Sequence, residues 1–233
     1  MDFTKFISLI ATRKLYFSSA NRLNDPFEGS IPKKSIEARE KLFTAFTEDG
    51  QKINSENYSR KIELSKQYYF INCWHANKYE SAAMWNLYIK SDNGIAVQST
   101  YNLLKKSFID YEQVFLGKVK YIDHDTESID LFNPLAPFVH KRKSFEHEKE
   151  IRALVFKIPI IDDPSSGLKY INFGIETKID GLQIAVDVET LIQEVYVAPN
   201  TPLWYSELVN NVIKQYGYDF KVKQSQMDSS PLF

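Results

Sequence analysis

The stretch FEHEKEIR at residues 145–152, followed by the apolar run Ala153–Ile161, places three carboxylates, a histidine and an arginine next to a strand-forming segment. Side chains in a β-strand alternate between its two faces. A strand over Ile151–Ile158 therefore predicts that Glu150 and Arg152 share a face, with Cα atoms about 6.5–7 Å apart. A carboxylate beside a fixed cation can hold a polar ligand or form an ordinary ion pair at a sheet edge, and the residues leave both open.

Hydrophobic periodicity and turn residues divide the rest of the chain into short elements. The predicted helices span 2–11, 80–90, 101–108, 134–147 and a segment from 201, with two more inside a helical excursion at 33–65. The predicted strands span 15–18, 68–74, 95–99, 114–122, 151–158, 182–188, 195–197 and 220–222. The irregular interleaving favours a single α+β domain over 1–224, with a mixed or mostly antiparallel central sheet, packed helices and a polar tail at 225–233.

The composition narrows the class of protein. A chain of 233 residues, 43% hydrophobic and 25% charged, is long enough for one large domain or two small ones with a buried core. Aromatic residues, at 14%, favour strand-rich cores and ring-lined clefts. The net charge of −1 gives no sign of the basic surface that nucleic-acid-binding or membrane-binding proteins carry.

Cysteine usage and hydropathy indicate the compartment. Cys73 is the only cysteine, which excludes an internal disulfide and is typical of a reducing environment. No basic leader followed by an apolar run opens the sequence, and no run approaches the roughly 20 apolar residues of a membrane span. We therefore expect a cytoplasmic protein with no membrane partner.

Common cofactor and metal motifs are missing from the sequence. The eight glycines form neither a P-loop nor a dinucleotide-binding pattern, which disfavours a kinase, a P-loop ATPase and a Rossmann dehydrogenase. The four histidines form no His-Glu-x-x-His motif, and no paired Cys-x-x-Cys or calcium loop accompanies them. We therefore predict no metal site.

Several polar groups have both a chemical and a structural interpretation. Cys73 and His75 resemble a nucleophile and its base, but a spacing of about 6.5–7 Å along one strand favours a buried thiol and a strand-end histidine. The basic residues 141–143 can bind phosphate, although the neighbouring acidic residues favour a solvated helix with internal charge pairing. Trp85 and Tyr88, three apart on a helix, are expected in the core.

The string NDPFEG at residues 24–29 predicts a tight bend. Asn and Asp side chains hydrogen-bond the local backbone, and the proline prevents helix continuation. A turn that closes the first strand onto the core is one interpretation. The other is that the turn presents Glu28 toward a cleft.

Together these strings resemble a widespread bacterial family known only as a domain of unknown function. The resemblance covers roughly Phe3 to Gln224 and brings no settled activity. It rests on LYFS at 15–18, NDPFEG at 24–29, CWH at 73–75, ESAAMW at 80–85, GIAVQS at 94–99 and the stretch 140–152.

A more distant likeness is to the ADP-ribosyltransferase fold, whose members place an Arg or His on a first strand, a Ser or Tyr on a second and a Glu on a later one. The string FSS at 17–19 is similar to the second element, and Glu150 or Glu148 to the third. The first element has no match here: either the start is truncated or the motif is absent, and Arg13 or Arg22 would substitute for it.

This likeness implies an enzyme that uses NAD as its substrate. Glu150 would be the catalytic carboxylate and Glu148 an accessory one, while Ser18 would position the ribose. The expected NAD-binding residues are Arg152, Tyr16 and Trp85. The acceptor would be a protein or a nucleic acid, and a role in phage defence or as a toxin would follow.

Two other functions fit the same residues. The near-neutral charge, the missing first element and the aromatic richness fit a non-catalytic module that binds a ligand or a partner. A metal-dependent nuclease is a weaker alternative. It would gather Mg²⁺ on four carboxylates from separate segments, namely those of Asp25, Glu28, Glu148 and Glu150.

Overall fold

The computed structural model describes residues 1–46, 55–89, 93–109, 113–162 and 169–229. The helices are α1 (Phe3–Thr12), α2 (Lys33–Phe46), α3 (Ser55–Ser65), α4 (Ala82–Tyr88), α5 (Tyr101–Ser107), α6 (Val188–Leu191) and α7 (Leu203–Gln215). The first six strands are β1 (Lys14–Ser19), β2 (Tyr69–His75), β3 (Ile95–Gln98), β4 (Phe115–Lys118), β5 (Lys120–Ile122) and β6 (His140–Arg142). The other six are β7 (Glu150–Phe156), β8 (Ile160–Asp162), β9 (Lys169–Ile171), β10 (Gly181–Ala185), β11 (Glu194–Val197) and β12 (Lys221–Gln224).

The α+β class predicted from the sequence is confirmed. The main sheet has five strands in the order β10-β1-β2-β7-β4, and its β1–β2, β2–β7 and β4–β7 pairs are antiparallel. A second sheet has the order β12-β11-β3, with a parallel β11–β12 pair. No helix in the described part of the chain is long and apolar enough to cross a membrane.

The chain divides into two compact units. The first unit consists of Met1–Tyr16, Asn77–Glu112 and Gln183–Phe233, and the second of Phe17–Ala76 and Gln113–Leu182. The predicted division into one domain at 1–224 and a tail at 225–233 stays a prediction. Within the first unit, Ser225 is buried and donates its hydroxyl to Glu80 Oε2 at 2.6 Å.

The core of the second unit lies on one face of β2 and β7. Tyr69 and Ile71 of β2 pack with Leu154 of β7 and with Phe138, and the rings of Tyr69 and Phe138 stack at 4.0 Å between centroids. The alternating apolar residues that predicted strands at 68–74 and 151–158 therefore form the floor of this unit. Strand β7 lies between β2 and β4, so its residues 151–154 are paired with a strand on each side.

The helix predicted over 134–147 is wrong. The segment forms a 3₁₀ turn at Ala136–Phe138, then strand β6, then a second 3₁₀ turn at Lys143–Glu148. Pro137 lies inside the first turn, where its ring disfavours a longer helix. Strand β6 instead pairs in parallel with β5.

Two smaller predictions are wrong, and a third lies outside the described residues. The strand predicted over 114–122 is two strands, since β4 pairs with β7 while β5 pairs with β6. Helix α4 has no buried residues, so the predicted core positions of Trp85 and Tyr88 are wrong. The break predicted at Asp49-Gly50 lies outside the described residues.

Gly29 closes the turn predicted at 24–29. Its φ is +67°, and an added Cβ would lie 2.6 Å from Phe138 Cε1. Residues with side chains rarely adopt this φ, and Phe138 belongs to the core and stacks on Tyr69. The turn therefore needs glycine for both its backbone conformation and its close approach to the core.

We expect Gly29→Ala to lower the free energy of unfolding by about 2–4 kcal/mol, because the left-handed backbone and the clash with Phe138 add. Gly217→Ala is the matched control: φ is +83° there, but no atom lies within 4 Å of the added Cβ. That variant should lose only about 1–2 kcal/mol. Urea unfolding measures both, and equal losses would contradict the packing argument.

Candidate functional site

The second unit contains a buried network of five charged side chains, which we call the ionic cluster. Its members are Glu28, Lys141, Glu148, Glu150 and Arg152. All five are buried, and Arg152 is only 1% exposed. Buried charges are costly unless they are paired and hydrogen-bonded, so the position of each partner matters for stability.

Arg152 is the centre of the ionic cluster. It forms a bidentate pair with Glu28, in which Nη1 donates to Oε1 and Nη2 donates to Oε2 at 2.9 Å. Its Nε donates to Glu150 Oε2 at 2.5 Å, and Nη1 also donates to the carbonyl of Phe138 at 2.7 Å. Each guanidinium nitrogen thus has a partner, and fork-shaped pairs of this kind are the strongest ion pairs in proteins.

Both oxygens of Glu150 are occupied. Oε2 accepts from Arg152, and Oε1 accepts from Lys141 Nζ at 3.1 Å. Lys141 also donates to Glu148 Oε2, so a single ammonium group bridges the two glutamates. Glu150 is therefore held by two cations and faces protein rather than solvent.

The backbone around Lys149 explains how Glu148 and Glu150 reach the same lysine. On a regular extended strand the two glutamates would share a face, with Cα atoms about 6.5–7 Å apart. Lys149, however, ends the 3₁₀ turn in the left-handed region with a φ of +43°. Its carbonyl accepts from the Ala76 amide at 2.9 Å, which fixes the reversal. A left-handed non-glycine residue is uncommon and costs free energy, so the surrounding structure has to hold it in place.

The protonation of the two glutamates differs. Burial raises the pKa of Glu148, and its hydrogen bond to Glu150 adds to the rise. Burial alone would also raise the pKa of Glu150, but Arg152, Glu148 and Lys141 together lower it to about 2. Three carboxylates share two cations in the ionic cluster, and the pKa values of Glu148 and Glu150 are shifted in opposite directions.

Ser18 shares the face of Glu150 but lies far from it. Ser18 is opposite Ile71 on β2, and Ile71 is opposite Leu154 on β7. Glu150 is four residues from Leu154, and two strand spacings separate β1 from β7, so the Cα atoms of Ser18 and Glu150 are about 17 Å apart. The predicted ribose-positioning hydroxyl and the predicted catalytic carboxylate are therefore not brought together.

The expected NAD-binding residues are divided between the units. Arg152 belongs to the second unit and is buried, and all three of its guanidinium nitrogens donate to protein oxygens. Tyr16 and Trp85 belong to the first unit. Tyr16 is exposed, and the indole N–H of Trp85 donates to Glu80 Oε2 at 2.9 Å.

Cys73 and His75 lie beside the ionic cluster on the same face of β2. Cys73 is directly opposite Arg152, and His75 directly opposite Glu150. Desolvation by the surrounding protein atoms raises the pKa of the Cys73 thiol to about 12. The residue is nevertheless exposed to solvent. A thiol that stays protonated is a poor nucleophile. His75 Nδ1 donates to the Glu148 carbonyl at 2.5 Å, which leaves Nε2 as the acceptor nitrogen of the ring.

The turn at 24–29 also contributes a second, smaller ion pair. Arg142 Nη2 donates to Asp25 Oδ1 at 2.8 Å, and the guanidinium lies 4.2 Å from the centroid of the Phe27 ring. Lys143 pairs with Glu127 at 2.7 Å. The basic residues 141–143 are thus all paired, although Lys141 is buried rather than on the solvated helix that the sequence predicted.

The nuclease alternative requires carboxylates free to hold a metal ion. Asp25 and Glu28 are each paired with an arginine, and Glu148 and Glu150 with Lys141. Within the described ranges, no group of three or more His, Cys, Asp or Glu side chains could hold a metal ion. The four carboxylates therefore do not form a metal centre in this arrangement.

The sequence did not predict the pairing of two members of the ionic cluster. Lys141 is predicted on a solvated helix, and Glu28 is predicted as a turn residue, a cleft residue or a Mg²⁺ ligand rather than as the partner of Arg152. The signal available in the sequence was Arg152 itself, which interrupts the apolar run 151–156 and so requires carboxylates from elsewhere. Glu28 is 124 residues away, and no local pattern identifies such a partner.

Comparison with known proteins finds no matching family model, no matching curated protein and no matching solved structure. The resemblances to the bacterial family and to the ADP-ribosyltransferase fold stay predictions.

We expect Arg152→Met to lower the free energy of unfolding by about 3–5 kcal/mol, because Glu28 would lose its buried counter-ion and Glu150 would keep only Lys141. Arg22→Met is the matched control, since Arg22 pairs with Asp180 at the surface and is 63% exposed. Its loss should be at most about 1 kcal/mol. Urea unfolding followed by circular dichroism measures both, and a small loss for Arg152→Met would show that the ionic cluster is dispensable.

The two glutamates should respond to pH in opposite directions. The folded-state pKa of Glu150 is lowered from 4.5 to about 2, so its stabilisation is present above pH 4.5 and is lost as the pH falls toward 2. The destabilisation caused by Glu150→Gln should therefore shrink as the pH falls. The pKa of Glu148 is raised, so Glu148→Gln should gain stability relative to the unmodified protein as the pH rises.

Urea midpoints of both variants between about pH 3 and pH 7 test this contrast. Parallel pH profiles for the two variants would contradict the opposite pKa shifts of Glu148 and Glu150.

Proposed function

We propose that the chain is a non-catalytic module that binds a ligand or a partner, with the ionic cluster as its structural centre. This proposal rests on the hydrogen bonding of Glu150, whose two carboxylate oxygens both accept from buried cations. A catalytic carboxylate has to reach a substrate atom at about 3 Å, and no such approach is open to a carboxylate that two cations already hold.

The positions of the other candidate residues support the same conclusion. Ser18 is about 17 Å from Glu150 by strand geometry, which is too far for both to contact one ribose. The guanidinium of Arg152 is buried, and each of its three nitrogens already donates to a protein oxygen. The requirement that buried charges have partners is sufficient to explain the pairing of Glu150 and Arg152 as a contribution to stability.

A second candidate is the ADP-ribosyltransferase-like enzyme, and one observation favours it. Glu148 and Glu150 are adjacent carboxyl groups whose pKa values are shifted in opposite directions, which is typical of acid–base pairs in enzymes. The left-handed Lys149 between them fits the backbone strain found at functional sites. A protein or nucleic-acid acceptor and a role in phage defence or as a toxin belong to this candidate.

Incubation with NAD labelled in the nicotinamide ring separates the two candidates. For the binding module we expect no nicotinamide release above the blank, by the unmodified protein or by Glu150→Gln, and a lower melting temperature for the variant. Release by the unmodified protein that disappears in both Glu150→Gln and Glu148→Gln, with the fold retained by circular dichroism, would establish the transferase instead. Glu127→Gln, at the exposed pair with Lys143, controls for general loss of a carboxylate.

A further inference from the structure

The first unit contains a concavity that has no part in the ionic cluster. Its volume is about 290 Å³, which is at the small end of the range for ligand sites. It is lined by Arg13, Ile109, Val186, Asp187, Val188, Glu189 and Tyr218. A space of this size suits a small molecule better than a nucleotide.

The floor of this concavity is apolar. Val186 and Val188 are buried, and Ile109 is exposed at the rim. Tyr218 forms a wall: it is buried, donates its hydroxyl to the Ile10 carbonyl at 3.2 Å and stacks on Phe220 at 5.0 Å between ring centroids. Because its hydroxyl donates to Ile10 and its ring lines the concavity beside Val186 and Val188, Tyr218 adds apolar surface for a ligand.

The rim carries charges of both signs. The Arg13 guanidinium lies 5.9 Å from the centroid of the Tyr218 ring, within the range of a cation–π contact. Asp187 caps α6 by accepting from the Glu189 and Thr190 amides, and Thr190 and Arg13 help to lower the pKa of its carboxyl. Glu189 follows as an exposed acidic residue in the first turn of α6.

Main-chain hydrogen bonds fix the backbone positions of Arg13 and Asp187. Arg13 ends α1 in the left-handed region, with its amide donating to the Leu9 carbonyl at 2.9 Å. Its own carbonyl accepts from the Val186 amide at 2.9 Å, which ties the cation to the floor of the concavity. The Asp187 amide donates to the Ser107 carbonyl at 2.7 Å. Main-chain hydrogen bonds therefore fix the backbone positions of Arg13 and Asp187 beside Val186, so charges of both signs line one apolar concavity.

We propose that this concavity binds a small zwitterion with an apolar body, of the chemical class of a free aliphatic amino acid. The guanidinium of Arg13 would bind the carboxylate, Glu189 and Asp187 would attract the ammonium group, and Ile109, Val186 and Val188 would contact the side chain. This gives the proposed binding module its ligand class and rests on that function.

Isothermal titration of the whole chain with L-leucine tests the proposal, with N-acetyl-L-leucine and L-leucinamide as analogues that each lack one charge. We expect leucine to bind and each analogue to bind at least about tenfold more weakly, because one charge-assisted contact is lost. Arg13→Gln should weaken leucine without affecting the binding of leucinamide, and Glu189→Gln should weaken leucine without affecting that of N-acetyl-leucine.

The controls are matched by residue type. Arg22→Gln and Glu207→Gln remove an exposed charge outside the concavity and should leave leucine affinity unchanged. Ile109→Trp fills the concavity from its exposed rim, so it should abolish binding at an unchanged melting temperature.

No heat of binding for leucine at millimolar concentration, or equal affinity for leucine and both analogues, would overturn the proposed ligand. Nicotinamide release in the NAD assay would instead overturn the binding-module function, so the two proposals can fail separately.

Discussion

A guanidinium ion buried within an apolar strand is the constraint on which the second unit depends. Arg152 interrupts the run of apolar residues on β7, and removing its charge from water costs several kcal/mol unless the fold supplies carboxylates. Glu28 comes from the turn closed by Gly29, and Glu150 comes from the same strand. The tight glycine turn serves this requirement by bringing Glu28 to Arg152, and the left-handed Lys149 brings Glu148 to Lys141, the second cation of the ionic cluster.

The ionic cluster contains one more carboxylate than cations. Lys141 bridges the two glutamates nearest the end of β7, and the pKa of Glu148 is raised while that of Glu150 is lowered. A structural network and a catalytic acid–base pair therefore share the same residue types, spacing and divergent pKa values. What separates them is access, since a catalytic pair must leave one oxygen free for substrate.

Local patterns predicted most of the fold. Strands near 68–74, 95–99 and 151–158 and the helix near 2–11 are present with boundaries shifted by one or two residues, because apolar periodicity and turn residues act over short distances. The helix predicted at 134–147 was wrong, because Pro137 and a parallel pairing with β5 outweigh helical spacing there. The face shared by Glu150 and Arg152 was predicted correctly, whereas the pairing of Glu28 with Arg152 was not predicted, because 124 residues of chain separate the two.

The long separation between Glu28 and Arg152 has a consequence for synthesis on the ribosome. The turn that carries Glu28 emerges first, and its counter-ion follows 124 residues later. At about 5–20 residues per second, the glutamate waits roughly 6–25 s before the arginine exists. Until then no buried position for this carboxylate is favourable, so the early part of the second unit has to remain hydrated and unassembled. The second unit therefore cannot complete its fold until Arg152 has been synthesised. During that interval the nascent chain remains accessible to chaperones.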